Sequence, residues 1–376
     1  MEIKVAWHEL KKTYPWIPKK ALNKNDLRRL DELQEGDIVK VESGGRVFYA
    51  YFENGDRIIF KIFSEKEPNP IRSFQCALQR ALAYRKKLRL NSNAMRLFFS
   101  EADRFPGIII DDYEEIAVVQ ITSQGLRPYA SDLLDCVKET IGKNQVMVKS
   151  EFIEQTDSQR LVRILEGDVQ FYVDLGQGHK TGFYLDQRAN RLFLSKFAES
   201  NSRVLDLFCY TGGFGVHFLK QGAKEVTFVD ESSKAIELLE ENLRINKLSG
   251  AKIFRKDSFE FLRNHQERET YDIIVCDPPA FTSKREHQHN ALVGFKKLAN
   301  LCVKILKDNG IFVLFSCSWH ISLVHLEEVL KEVSNECQSS VLITHYLLQD
   351  VDHPYLLNFP PSLYLKGVVC RVIRNK

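Results

Sequence analysis

The chain has 376 residues, 53 Lys+Arg against 50 Asp+Glu for a formal net charge of +3, and 44% hydrophobic residues. This length accommodates two or three domains, each with its own core. The composition describes an ordinary soluble globular protein, and the lack of any apolar run of transmembrane length excludes a membrane-spanning helix.

The first thirty residues are basic, with Lys4, Lys11, Lys12, Lys19, Lys20, Lys24, Arg28 and Arg29 against Glu2, Glu9 and Asp26. Their opening, MEIKVAWHELKKTYPW, has no signal-peptide pattern, so a cytoplasmic location and no membrane partner are expected. Gly36 to Phe63 alternates as short β segments, with Asn54-Gly55 as a hairpin signal. This β module stops at SEKEPNP, where Pro68 and Pro70 mark a linker. Ile71 to Leu90 then reads as a helix from the spacing of Phe74, Leu78, Ala81 and Leu82. It carries Arg72, Arg80, Arg85, Lys86, Lys87 and Arg89 and no acid. Two such segments ahead of a catalytic-looking half point to a polyanionic partner.

MRLFFSEADRFPGIIIDDYEEIAVVQIT reads as three strands separated by turns, Pro128 to Ile141 as a helix, and VMVKS and DVQFYVDL as strands. From Arg203 the texture becomes regular. Strands RVLDLF, EVTFVD, AKIFRKD, YDIIVCD and GIFVLFSCS alternate with helices beginning near Gly213, Ser232, Ser258, Asn290 and Leu323. That is the pattern of an α/β doubly wound parallel sheet. VLITHYLLQ and SLYLKGVVCRVIR follow, the latter expected to return as an antiparallel edge. The expected domains are residues 1–68, small and β-rich; 69–175, central α+β; and 176–376, the doubly wound sheet. The eight cysteines are scattered without zinc spacing and His287-x-His289 stands alone, so no metal is expected and the thiols are expected to be free.

Ligands of a doubly wound sheet sit at the carboxyl ends of its strands. Asp206, Asp230 and Asp277 close the first, second and fourth strands, and Asp257 follows the third. One such Asp is commonly a helix cap, but four in succession indicate a site. In LDLFCYTGGFG, Gly212 and Gly213 let backbone N–H groups approach a ligand, Thr211 lies beside them, and Asp230 suits ribose hydroxyls. This much fits either NAD or S-adenosylmethionine. Phe208 and Tyr210 stand where a pyrophosphate turn needs glycine, which favours the cofactor without phosphates. CDPPAF, Cys276 to Phe281, forms a rigid loop in which Asp277 and carbonyl groups can face a substrate base, with Cys276 in the core.

FYVDLGQGHKTGFYLDQRANR, VLDLFCYTGGFG, CDPPAFTSK, LFSCSWH and DHPYLLNFPPSLYLKG, together with RLFFSEADRFPGIIIDDY, resemble the RlmI-like family of bacterial large-subunit ribosomal RNA 5-methylcytosine methyltransferases over nearly the whole chain. The resemblance implies an N-terminal PUA domain, a central α+β domain and a C-terminal class I, Rossmann-like methyltransferase domain using S-adenosylmethionine. It also implies that Lys180, Thr181 and Gly182, and the helix start Asp186-Gln187-Arg188, wall the cofactor pocket. Pro360-Pro361 stands where the family usually has Pro-Glu, and the N-terminal module is a loose match.

Cytosine C5 is a poor nucleophile until a thiolate adds to C6. Cys317, in the Ser316 to Ser318 strand end that faces the CDPPAF crevice, is the candidate for that addition. Cys209, on the cofactor side, is its competitor, and Ala280 fills the place where related RNA enzymes carry a cysteine. Asp277, Asp352 and His353 are candidates for the base that takes the C5 proton. The expected partner is RNA presenting a flipped or single-stranded cytosine, and a homodimer is a further expectation. Two other readings stay open: methylation of an exocyclic amino group of adenine or guanine, which needs no thiol, and a non-catalytic RNA-binding assembly factor.

Overall fold

The computed structural model describes residues 2–150, 161–176, 178, 181–265, 270–281 and 287–375. The chain divides into two compact units, one of Met1–Ile164, Val173–Leu185 and Val351–Ser362, the other of Leu165–Tyr172, Asp186–Asp350 and Leu363–Lys376.

In the first unit, β1 (Glu2–Lys4), β2 (Trp16–Pro18), β3 (Ile38–Ser43), β4 (Arg46–Phe52) and β5 (Ile58–Ser64) form a sheet in the order β1-β3-β4-β5-β2. Alternate residues of β3 are buried, as its period-two pattern requires, and Val39, Val41, Phe48 and Phe60 lie in the core. The tight two-residue turn is at Gly44-Gly45, both with positive φ. Asn54-Gly55 marks a hairpin as expected, in the longer loop that joins the antiparallel β4 and β5. Two three-residue strands, β1 and β2, are too short to show a period and were not expected; the short helices α1 (Trp7–Thr13) and α2 (Lys24–Arg28) belong to the same stretch of chain.

Pro70 proves to be the first residue of a helix rather than part of a linker. Asn69 caps α3 (Pro70–Arg85) by accepting from the N–H groups of Ile71 and Arg72. Arg85 does not belong to the basic surface: it is buried and pairs with both oxygens of Asp103, at 2.6 and 2.7 Å. Arg72, Arg80, Lys86, Lys87 and Arg89 are exposed, as are all eight basic residues named in the first thirty. A second sheet, β6 (Met95–Phe99), β7 (Ile108–Tyr113), β8 (Ile116–Ile121) and β9 (Val146–Lys149), packs with α3 and α4 (Ala130–Ile141) around Phe74, Leu78, Ile110, Val119 and Val137. Its last two strands are parallel. β10 (Leu161–Glu166), also not expected, pairs with β11 (Val169–Asp174).

The second unit holds a seven-stranded sheet built from β12 (Arg203–Leu207), β13 (Glu225–Asp230), β14 (Ala251–Arg255), β15 (Tyr271–Cys276), β16 (Leu306–Ser316), β17 (Ser339–Leu348) and β18 (Lys366–Arg374). The order β14-β13-β12-β15-β16-β18-β17 reverses direction in sequence beside β12, the switch point where doubly wound sheets bind ligands. The first five strands are parallel. β18 is antiparallel as expected, but it is not the edge: it lies between β16 and β17. Its run GVVCRV is almost wholly buried, whereas most of β17 is exposed, and a strand buried on both faces belongs inside the sheet. Helix α5 (Arg188–Leu194) precedes the sheet in sequence, and α6 (Gly213–Lys220), α7 (Ser233–Ile245), α8 (Ser258–Asn264), α9 (Gln288–Ile305) and α10 (Leu323–Glu336) start within two residues of their predicted positions.

Candidate active site

β12 delivers the chain to the switch point. Its register pairs Leu207 with Val229 on one side and Cys276 on the other, so the loop at Phe208 emerges between Asp230 and Asp277. Asp206, at 1% exposure, accepts from the Gly215 N–H through Oδ2 at 2.8 Å, while its buried Oδ1 has no hydrogen-bond partner. Burial pushes the Asp206 carboxyl up to about 8, and the charges of Asp277 and Asp230 push the same way.

The loop after β12 is held in left-handed backbone. Phe208 has φ +58°, Tyr210 +51° and Gly212 +84°. For the two aromatic residues that conformation costs about 1–2 kcal/mol each. Asp230 fixes it, accepting from the N–H of Tyr210 at 2.9 Å and of Ser232 at 3.0 Å. The Gly212 N–H, expected to face a ligand, donates to the Cys209 carbonyl at 2.8 Å. Its missing Cβ leaves room for packing, since one would lie 2.3 Å from Leu239 Cδ1. Gly213 is the first residue of α6.

The carboxylates of Asp230 and Asp277 are thus close enough at one end of the sheet to raise Asp206. This field repels a pyrophosphate and favours a ligand with cationic groups. S-adenosylmethionine fits: the orphaned Oδ1 of Asp206 suits its ammonium, and the two carboxylate oxygens of Asp230 keep lone pairs for ribose hydroxyls. The buried Thr211 Oγ1 is also without a partner.

On the other side of β15, Gln187 Nε2 donates to Asp277 Oδ2 at 2.9 Å. Cys317 follows β16 and is half-buried, its Sγ 4.0 Å from the Pro278 carbonyl. Cys209 and Cys276 are buried, and burial raises both thiols well above their ordinary value, so neither forms a thiolate readily. Lys366 is also buried and donates to the Ser318 carbonyl at 2.9 Å and to that of Leu363 at 3.2 Å. Burial pulls its ammonium down to about 8, against the opposing effect of Cys317.

The family profile described as methyltransferase small domain matches residues 184–341. Ribosomal RNA large subunit methyltransferase I of Tolumonas auensis is 32% identical over 386 aligned residues, covering 97% of this chain and 96% of its own. The protein of that name from Escherichia coli is 33% identical, covering 83% of each. The chain belongs to the ribosomal RNA large subunit methyltransferase I family. A crystal structure of SMU.776 complexed with SAH, at 21% identity, covers 99% of this chain and 100% of its own with a TM-score of 0.82, a likeness of fold. The family resemblance, the α/β fold class and the cofactor S-adenosylmethionine expected from the sequence are borne out.

The other expected site residues of this family member have partners of their own. Lys180 lies outside the described residues. Thr181, fully buried, bonds Tyr113 Oη at 3.1 Å and donates to Asp111 Oδ2. Gly182 has φ +137°, and a Cβ there would meet Val173 Cγ1 at 2.8 Å. Asp186 accepts from Tyr364 Oη, and Arg188 is buried against Asp350 at 2.8 Å. Asp257 is exposed and caps α8 through the Glu260 N–H at 2.8 Å. Asp352 and His353 are buried together in the first unit, Oδ1 to Nδ1 2.7 Å, with Asp352 Oδ2 accepting from Arg96 N at 2.9 Å. Sequence reasoning missed Lys366, whose signal was a lysine beginning an apolar strand.

Proposed function

We propose that the chain is an S-adenosylmethionine-dependent methyltransferase of large-subunit ribosomal RNA that forms 5-methylcytosine through a covalent adduct on Cys317. The observation that carries this reading is the half-buried Cys317 thiol, 4.0 Å from the carbonyl of Pro278, the residue that follows Asp277, while the competing Cys209 is buried. The cofactor supplies an electrophilic methyl group. Cys317 adds to C6 of the cytosine, forming an S–C6 bond and placing electron density on C5, which takes the methyl group. Asp277, oriented by Gln187, accepts the C5 proton, and the electrons of the C–H bond expel the thiolate to restore the ring. A cation near the sulfur, Lys366, favours the thiolate both before addition and after elimination.

The substrate is a flipped or single-stranded cytosine, because C6 and C5 must both be reached from the face of the ring. The exposed basic residues of the first thirty and of α3 and its following turn hold phosphates. In this reading residues 1–68 are a PUA-like RNA-binding domain, 69–175 the central domain and 176–376 the methyltransferase domain. Separate core clusters around Phe48, Phe74 and Ile274 support three cores, although Val173–Leu185 and Val351–Ser362 belong to the first compact unit and Leu165–Tyr172 to the second. The experiment is nucleoside mass spectrometry of large-subunit ribosomal RNA from cells with and without the gene. Loss of one 5-methylcytidine supports the reading; loss of a methylated adenine or guanine instead overturns the cytosine assignment.

A further inference from the structure

A turn begins one residue beyond Cys317. The Ile321 N–H donates to the Ser318 carbonyl at 3.1 Å, so Trp319 and His320 occupy its two central positions. Each flank is pinned. Lys366 Nζ holds the Ser318 carbonyl at 2.9 Å, and Gln288 Nε2 holds the His320 carbonyl at 2.7 Å. Ile321 is fully buried, and Ser322 forms a reciprocal capping box with His325 at the start of α10.

At the apex of this fixed turn the Trp319 and His320 rings face each other, centroids 3.8 Å apart and planes 33° apart. Trp319 is 47% exposed. Single exposed apolar residues are ordinary. This one differs because its backbone is immobilised on both sides, its ring is ordered against a neighbour, and it stands two residues from the candidate nucleophile. Two residues of chain span at most about 7 Å, so a nucleotide next to a base held at Cys317 comes within reach of the indole.

We propose that Trp319, backed by His320, is a stacking platform for the base of the nucleotide adjoining the target in single-stranded RNA. An indole offers a large π-face without demanding hydrogen-bond complementarity, so the platform holds the flanking base whatever its identity. The fixed turn means that little side-chain entropy is lost when the base arrives. The role is one of positioning: Trp319 sets the register of the strand and thereby places the cytosine over Cys317.

This rests on the RNA-methyltransferase reading above, and the test separates the two. The full chain, with saturating S-adenosylmethionine, is titrated with a single-stranded oligoribonucleotide containing one cytosine while tryptophan emission is recorded. It is then titrated with versions lacking the base immediately 5′ or 3′ of that cytosine. The proposal expects quenching on binding that Trp319→Phe removes, and Trp319→Ala weakening RNA binding roughly 5- to 150-fold, equivalent to ~1–3 kcal/mol. Trp319→Phe, which keeps a ring, restores most of the affinity, and cofactor affinity is the same in all three proteins. Removing one flanking base weakens wild type by a similar factor but leaves Trp319→Ala little changed. If wild type and Trp319→Ala lose equally when each flanking base is removed, the stacking role is overturned while the enzymatic reading stands. If the chain binds the methyl donor but no RNA, both are overturned.

Discussion

Lys366 donates to the carbonyl of Ser318 at 2.9 Å, and so holds a buried ammonium beside the residue that follows Cys317. With its ammonium at about 8, Lys366 is mostly charged at neutral pH, and a neighbouring cation favours the thiolate. Lys366→Met keeps the stem and removes the charge. The expected outcome is alkylation of Cys317 by iodoacetamide slowed by up to about tenfold at pH 7, one pKa unit's worth, with unchanged affinity for S-adenosylmethionine. An unaltered alkylation rate, read by peptide mass spectrometry, contradicts the electrostatic role.

Asp230 anchors both the Tyr210 and the Ser232 N–H groups, and it is the residue proposed to take the ribose hydroxyls of the cofactor. Asp230→Ala is expected to weaken S-adenosylmethionine binding by ~1–3 kcal/mol, the cost of leaving polar ribose groups without partners. Calorimetry checks this. Tight binding of NAD by the wild-type chain, with none of the methyl donor, contradicts the cofactor assignment.

If Asp206 receives the ammonium of S-adenosylmethionine, as proposed, cofactor binding depends on pH. Its carboxyl is raised to about 8 by burial, so the free protein carries a proton there at neutral pH. A cationic group arriving at Oδ1 displaces that proton, so affinity rises with pH up to about 8. Compared with Asp206→Asn, in which the ligand's own ionisation is the same, wild type gains up to about tenfold per pH unit between 6 and 8. Proton release shows as a binding enthalpy that varies with the buffer. The sign for folding is opposite: the folded chain holds this proton more tightly than the unfolded one. That contribution to stability is full below about 4 and is lost as pH rises towards 8.

Arg191 holds Glu166 through two parallel bonds of 2.6 Å, and His217 Nε2 lies 2.9 Å from the same carboxylate. Burial would raise the Glu166 carboxyl, but the Arg191 charge and the bonds from both partners outweigh it and hold it well below the usual range. Glu166→Gln removes the charge and leaves a buried guanidinium uncompensated. The expected loss is about 3–5 kcal/mol of stability, read by denaturant unfolding. A loss below 1 kcal/mol contradicts a stabilising role for this pair, which joins β10 to the helix Arg188–Leu194.

The regular half of the fold could be read from the chain because its signals are local. Most strands from Arg203 to Ser316 carry an apolar run, β14 excepted, and each following helix starts at a Gly, Ser, Gln or Leu near a turn. Position within a sheet is not local: the run SLYLKGVVCRVIR is long enough to return as an antiparallel edge, whereas burial puts its strand, Lys366 to Arg374, inside. The same holds at the site. Asp206, Asp230 and Asp277 share a strand-end position that repeats along the sequence. Arg188 and Asp186, in contrast, are committed to Asp350 and Tyr364, residues over 160 positions away. No spacing rule reports such partners. Phe208 and Tyr210 were read as departures from a glycine loop; their left-handed backbone is the conformation glycine would have adopted, stabilised here by Asp230.

The most direct test of the central claim uses the order of the chemical steps. An RNA substrate carrying 5-fluorocytosine at the target is incubated with the enzyme and S-adenosylmethionine, then run on a denaturing gel. Fluorine cannot leave C5 as a proton, so elimination stalls and a covalent protein–RNA adduct accumulates. This adduct is expected with wild type and not with Cys317→Ala, which also loses turnover on ordinary cytosine while binding the methyl donor normally. Methylation of cytosine C5 by Cys317→Ala at the wild-type rate, or an adduct that persists in that variant, contradicts the covalent role of Cys317.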